Sequence, residues 1–137
     1  MLFTRRLLRA VFLFALLVDV APFAHAATIT VTSMADNSTV DGLVTLREAI
    51  TAANTDANVD GSTAGSGADT IVFAPAFIGT TQTILLGSAL PNLTTAIVMT
   101  GWGASQLTVQ GNGFFDVFTY DSFTGPTSIN GLTIAVG

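Results

Sequence analysis

Hydrophobic and polar residues alternate along most of the chain in short runs, a pattern that predicts β-strands. The first run is Thr28-Ile29-Thr30-Val31-Thr32, in which every second residue is apolar. The later runs are bounded by Gly, Asn, Asp or Pro, which favour turns. They span residues 70–73, 83–86, 96–100, 107–110, 117–120 and 128–134. Short strands are therefore expected to make up most of the fold.

One stretch has the pattern of a helix instead. Thr45 is a good N-cap residue and Glu48 stands three positions later, which together predict a capping box. The apolar residues that follow are spaced to share one narrow helix face: Leu46, Ala49, Ile50 and Ala53. Arg47 lies in the first turn. We interpret Thr45, Arg47 and Glu48 as a structural cap that begins the fold.

Arg47 has two explanations, because its positive charge opposes the dipole at the start of the helix. The structural one is an ion pair with Asp36 or Asp41, or hydrogen bonds to backbone carbonyl groups. The functional one is an anionic ligand. A single Arg makes a poor anion site, which favours the structural explanation.

The order of the predicted elements limits the fold class. No second helical pattern separates the strands, which argues against an alternating βα architecture. Two all-β arrangements remain, a sandwich and a solenoid of stacked rungs. Segments 97–101 and 129–134 look like degenerate copies of one another, each containing a Gly, and this repetition favours the solenoid.

Residues 1–26 predict a secretion signal peptide. Three Arg residues make a basic start, residues 10–18 are apolar, and Ala24-His25-Ala26 is an A-x-A cleavage site. The apolar run is shorter than the roughly 20 residues that a bilayer span needs. An uncleaved anchor is the alternative. We expect an exported protein, extracellular or at the cell surface, with no membrane span in the mature chain.

Removal of this leader changes the charge and the available chemistry. The net charge goes from −5 to −7, because three of the four Arg residues leave together with Asp19. Such a chain repels phosphate groups, which disfavours nucleic acid and anionic lipid as partners. The chain has no Cys and no Lys, and its single His leaves as well. A thiol nucleophile, an imidazole base and a Cys/His zinc site are therefore excluded from the mature chain.

A half-motif for calcium follows the helix. Asp56-Ala57-Asn58-Val59-Asp60-Gly61 matches the first half of a D-x-[DN]-x-[DN]-G loop, in which Asp56, Asn58 and Asp60 would supply oxygen ligands. The twelfth position, however, is Gly67 where the motif needs an acid, and a strand follows in place of a second helix. A solvated acidic turn is the alternative. Calcium is the one cofactor that the sequence suggests.

Asp116 and Asp121 are the candidates for catalysis. Paired carboxylates can hydrolyse glycosidic bonds, and aromatic rings beside carboxylates can hold sugars. The alternative is that the rings of this region pack in a core, where Phe is more often found. These rings are Phe114, Phe115, Phe118, Tyr120 and Phe123.

Several of these segments resemble a known family. Residues 28–32, 45–50 and 64–71 resemble the CSLREA-type N-terminal module of bacterial secreted proteins. Residues 107–113 and 129–134 look like the first rungs of the right-handed parallel β-helix that this module introduces. The resemblance extends over nearly all of residues 28–137.

The resemblance implies a fold class: all-β, a right-handed parallel β-helix (solenoid) of the pectin-lyase-like type with an N-terminal capping α-helix, incomplete at its C-terminus. It divides the chain into a signal peptide (1–26), a strand, capping helix and acidic loop (27–69), and the first rungs (70–137). The family usually has Cys where this chain has Val44 and Ser62. If these Cys residues form a disulfide in the family, this chain lacks a crosslink that typically contributes about 2–4 kcal/mol of stability, unless the packing of Val44 compensates for the loss.

The family also implies a location at the cell surface or outer membrane, often in adhesin-like proteins, with surface glycans or other proteins as partners. It implies no settled activity. We expect a non-enzymatic structural or binding module. The alternative is a polysaccharide-active enzyme, a hydrolase more than a lyase, because lyase chemistry generally needs a basic residue that the mature chain lacks outside the helix.

The chain stops in a strand pattern at Ile134-Ala135-Val136-Gly137, without a polar cap. An uncapped end exposes an apolar surface and unpaired strand edges. We therefore expect self-association through this end or marginal stability, and a truncated copy of a longer protein.

Overall fold

The computed structural model describes residues 25–121 and 125–136. The predicted signal peptide up to residue 24 lies outside these ranges, as do Phe123 and Gly137.

Seven short strands and one α-helix form in the described residues. In chain order they are β1 (Thr28–Val31), α1 (Leu46–Thr55), β2 (Asp69–Phe73), β3 (Gln82–Leu85), β4 (Ile97–Thr100), β5 (Leu107–Gln110), β6 (Ser128–Asn130) and β7 (Thr133–Ala135). A single 3-10 turn, Pro75–Phe77, lies between β2 and β3.

The strands form two parallel sheets, and successive strands from β2 onward alternate between them. One sheet has the order β1-β2-β4-β6 and the other β3-β5-β7. The register places apolar residues in columns: Ile29 pairs with Ile71, Ile71 with Met99, and Met99 with Ile129. In the second sheet Ile84 pairs with Val109 and Val109 with Ile134. A shift by one residue would turn each column to the opposite face, so this apolar pattern fixes the register.

A single core lies between these elements. In β2 every second side chain is buried, as expected for a strand with one face inward. Helix α1 adds its apolar stripe to the same core, because Ala49, Ile50 and Ala53 are fully buried among the strand residues. The helix packs against β1 and β2. No helix in the described residues is long and apolar enough to cross a membrane.

The predicted fold class is wrong. The described chain is a small α/β fold with two parallel sheets and one helix; it is neither all-β nor a right-handed β-helix solenoid. The strand pattern records which residues are buried and leaves open which strands pair. The sequence pattern predicts the helix as a cap on an all-β fold, whereas the buried stripe of the helix is part of the core itself.

Two predicted strands also differ from the structure. Residues 117–120 form a single bridge, between Tyr120 and Leu93. Residues 128–134 form two strands in different sheets, β6 and β7, because the backbone turns at Gly131, where φ is +67°. Glycine adopts this left-handed conformation without a steric penalty.

Gly131 also lies against Gly101 where β4 and β6 end. The Gly101 N–H donates to the Asn130 carbonyl at 2.9 Å, and the Gly103 N–H donates to the Gly131 carbonyl at 2.7 Å. A Cβ atom on either Gly101 or Gly131 would overlap the other residue's carbonyl oxygen. The two chain segments can therefore approach this closely only because both residues are glycine.

Candidate functional site

Several hydrogen bonds hold the start of α1, where the sequence predicts a structural cap. The Thr45 side chain accepts from the Glu48 N–H at 3.3 Å, and Glu48 Oε2 accepts from the Thr45 N–H at 2.8 Å, which completes a capping box. Both residues are buried, with 1% and 2% of their surface exposed. The Thr45 hydroxyl also lies 2.9 Å from the Asn37 carbonyl oxygen. The cap therefore joins the helix to the preceding loop.

Arg47 extends this cap to a distant segment. Its Nε and Nη2 donate to the two carboxylate oxygens of Asp36, each at 2.9 Å. Its Nη1 donates to the Ala89 carbonyl at 2.6 Å and Nη2 to the Ser88 carbonyl at 2.9 Å. Asp36 also accepts from the Gly87 N–H at 2.8 Å. We call Asp36, Arg47 and the backbone of residues 87–89 the clasp.

The clasp accounts for a cation in the first turn of the helix. The side chains of Arg47 and Asp36 are only 15% and 4% exposed, and the pair is bidentate. Of the two acids considered as partners from the sequence, Asp36 makes the pair, whereas the Asp41 carboxylate accepts from the Leu43 N–H. An anionic ligand would have to displace Asp36, so the geometry favours the structural explanation of Arg47.

The acidic loop begins where α1 ends. Asp56 is the C-cap residue, with a left-handed φ of 51°. The Asn58 side-chain amide donates to the Ser62 carbonyl, and its Oδ1 accepts from the Gly61 N–H at 3.3 Å. The Asp60 carboxylate accepts from the Gly42 N–H at 2.9 Å and from the Asp41 N–H at 3.1 Å. These bonds hold the loop against residues 41–42.

The three predicted calcium ligands thus lie in one loop, with Asn58 and Asp60 engaged by protein donors and acceptors. In residues 25–121 and 125–136, no three or more His, Cys, Asp or Glu side chains are grouped so that they could hold a metal ion. The hydrogen bonds of Asn58 and Asp60 account for the shape of the loop as an acidic turn. Calcium binding by Asp56, Asn58 and Asp60 stays a prediction.

The two candidate catalytic carboxylates have different surroundings. Asp116 is exposed and borders an open cavity of about 300 Å³, and Asp121 is not among the residues that line it. Asp121 instead lies near the Asn92 side-chain amide, 3.5 Å away. The cavity wall is otherwise mostly apolar and comprises Val117, Phe118, Tyr120, Ile129, Ile134 and Val136.

The aromatic residues of this region divide between the core and the surface. Phe115 and Phe118 are partly buried against the core. Phe114 and Tyr120 are 82% and 58% exposed. The region is therefore not a simple continuation of the apolar core, and part of it is available for contact with another molecule.

Asp69 is a buried acidic residue to which the sequence patterns assign no role. It is 1% exposed and opens β2. Its Oδ1 accepts from the Ser66 N–H at 2.8 Å and from the Ala27 N–H at 3.0 Å. Its Oδ2 is buried and has no hydrogen-bond partner among the residues that the structure describes. The alternation of β2 was the available signal, because Asp69 precedes Ile71 and Phe73 on the inward face.

Comparisons of this chain with protein-family models, with curated proteins and with solved structures return no match.

The clasp predicts a specific loss of stability on substitution. Arg47→Ala leaves the Asp36 carboxylate buried without its cation, which is expected to cost about 3 kcal/mol of unfolding free energy. Arg47→Lys keeps the charge and loses the bidentate geometry, so a smaller loss is expected. Urea unfolding followed by the fluorescence of Trp102 measures both. Asp41→Asn is the control and should change stability by less than about 1 kcal/mol; a loss as large as that of Arg47→Ala would contradict the assignment.

The hydrogen bonds in the acidic loop predict a lowered pKa for the Asp60 carboxyl group. The pKa of the Asp60 carboxyl lies below its ordinary value of 3.8, because the Gly42 N–H, and next the Asp41 N–H, donate to the carboxylate. Its stabilising contribution is therefore fully present only well above the unfolded pKa of about 3.9, and it is lost as the pH falls through the lower pKa of the folded state. NMR titration of the carboxyl carbon should give a midpoint below the ordinary value in the folded chain and near it in urea. Equal midpoints in both states would refute the prediction.

Proposed function

We propose that this chain is an exported, non-enzymatic structural and binding module of a cell-surface or adhesin-like protein, and that it associates with a second copy of itself. The A-x-A site and the family resemblance support export to the surface. The observation that carries the binding role is the difference between the two ends of the sheets.

One end is covered by other parts of the chain. The helix α1 packs against β1, which is the end strand of its sheet, and against β2. The N–H groups of Thr32 and Ser33, just after β1, donate to the Val44 carbonyl. At the same end, the clasp ties α1 to residues 87–89, just after β3, the end strand of the other sheet. At this end, other parts of the chain therefore contact β1 directly, and also contact the residues just after β1 and β3.

The other end is open. β6 and β7 are the last strands of their sheets, and each pairs on one side only within the described residues. Ile134 and Val136 are 53% and 65% exposed there, next to the cavity that Asp116 borders. We call β6, β7 and Val136 the open edge. A strand edge with exposed apolar side chains is a template for another strand.

The charge distribution favours a second copy as the occupant. Residues 125–136 contain no charged side chain, although the chain as a whole carries −5. Two copies of an acidic protein repel one another over most of their surface. The open edge has no carboxylate of its own, and Asp116 lies at the border of the cavity beside it. A two-fold axis would place the same edge on both sides of the interface.

Self-association is tested with two matched lysine substitutions. Ile134→Lys places a charge on the open edge, and Leu85→Lys places one on β3 at the covered end; the two side chains are 53% and 51% exposed. The exported wild-type chain should form dimers or larger species in sedimentation velocity, Ile134→Lys should be monomeric, and Leu85→Lys should behave like wild type. A wild-type monomer at all concentrations, or equal dissociation of both variants, would overturn the proposal.

The rival function is a polysaccharide hydrolase that uses Asp116 and Asp121. We expect no release of reducing ends from anionic or neutral polysaccharides beyond that of the Asp116→Ala/Asp121→Ala variant. Turnover that this double substitution abolishes would show an enzyme, because paired carboxylates suffice for glycoside hydrolysis. Arg47→Lys, which weakens the clasp and leaves Asp116 and Asp121 unchanged, is the control for loss of activity through lost stability.

A further inference from the structure

Asp69 is a buried carboxylate whose surroundings provide only neutral donors. Within the described part of the chain, its two hydrogen bonds come from backbone N–H groups, and both reach Oδ1, which leaves the buried Oδ2 without a partner there. A buried charge with an unsatisfied oxygen is costly unless a cation or further donors compensate it. Arg47 is committed to Asp36, the one ion pair that forms within residues 25–121 and 125–136.

One of the two donors has a special position in the sequence. The Ala27 nitrogen lies 3.0 Å from Asp69 Oδ1, and Ala27 is the residue that follows the A-x-A site. Its carbonyl accepts from the Thr70 N–H at 2.8 Å, so the residue is held in place at the start of β1 beside β2. Cleavage after Ala26 would make this same nitrogen the N-terminus of the mature chain.

We propose that removal of the leader creates an ion pair between the α-ammonium group of Ala27 and the carboxylate of Asp69. The inference rests on the exported state of the chain. A peptidase outside this chain hydrolyses the Ala26–Ala27 bond: water adds its oxygen to the Ala26 carbonyl carbon, and the Ala27 nitrogen leaves as an amine. One hydrogen of that water goes to the leaving nitrogen to form the amine, and the other, released as a proton by the new Ala26 carboxylic acid, converts the amine to the ammonium.

The new ammonium group supplies the positive charge and the additional hydrogen-bond donors that Asp69 lacks. A backbone N–H offers one hydrogen and no net charge, whereas an ammonium group offers three hydrogens and a positive charge. From the position of the Ala27 nitrogen, the ammonium can keep its bond to Oδ1 and offer a second hydrogen toward Oδ2. Charge-assisted hydrogen bonds are stronger than neutral ones. The pairing of β1 with β2 therefore becomes tighter after processing than before it.

The chain allows a selective test because it contains no Lys, so the α-amine is the single primary amine of the mature chain. The exported chain is purified, and its mass should correspond to a start at Ala27. An amine-reactive ester should modify it at least about tenfold more slowly in buffer than in urea, since the amine is protected in the folded state. Acetylation of the unfolded chain, followed by refolding, restores a neutral N–H at Ala27.

The acetylated chain should have an unfolding equilibrium constant about tenfold larger than that of the free amine. Acetylation should make no difference in an Asp69→Asn background, which separates the ion pair from a general effect of the modification. If Asp69→Asn does not fold, a chain with one Gly inserted between Ala26 and Ala27 replaces it. Its ammonium is displaced by about 3.5 Å, and it should be destabilised as much as the acetylated chain.

Each outcome bears on this proposal separately from self-association. A start other than Ala27, or equal stability of the free and acetylated chains, would overturn the ion pair even if the chain dimerises. A monomeric wild-type chain with the tenfold effect would overturn self-association and leave the ion pair supported. Unfolding is therefore measured on the Ile134→Lys variant as well as on wild type.

Discussion

Arg47 connects parts of the molecule that no strand pairing joins. From the first turn of α1 it binds Asp36 in the loop after β1 and the carbonyl groups of Ser88 and Ala89 after β3. In the described ranges the two sheets share no ladder of hydrogen bonds, so contacts of this kind and the common core fix how the sheets lie relative to one another. A cation at this end of a helix costs about 0.3–1 kcal/mol. Charge-assisted hydrogen bonds of about 1.5–3 kcal/mol each outweigh that cost.

The scarcity of cationic side chains explains which groups donate hydrogen bonds to the acidic side chains. The clasp uses the one Arg outside the predicted leader. Other carboxylates accept hydrogen bonds from backbone N–H groups instead: Glu48 from Thr45 and Asp60 from Gly42. Asp69 does so through Oδ1 alone, from Ser66 and Ala27. This solution needs no partner side chain, but it ties each acid to a local backbone shape. The polar framework is thus built from turns and helix ends, and the inward faces of the strands are mostly apolar.

The parts of this fold that depend on neighbouring residues could be read from the sequence, and those that depend on distant ones could not. The capping box of Thr45 and Glu48 is a three-residue relationship and forms as its spacing indicates. The alternation of Ile29 and Val31 likewise indicates a strand. Which strand lies beside β1 depends on Ile71, far along the chain, and no local pattern contains that information. The fold class was missed for this reason, and the importance of Asp69 was missed because its donor, Ala27, lies 42 positions away.

The glycine pair at positions 101 and 131 limits how this protein can diverge. Each residue excludes a side chain at the other, so no single substitution can relieve the constraint, and two simultaneous ones would have to separate the ends of β4 and β6. Surface strands usually tolerate sequence drift, since their outward side chains touch only water. Here the outermost strand is held at a spacing that only the smallest residue permits. Homologous chains that keep this sheet should therefore vary in the outward side chains of β6 while retaining glycine at both positions.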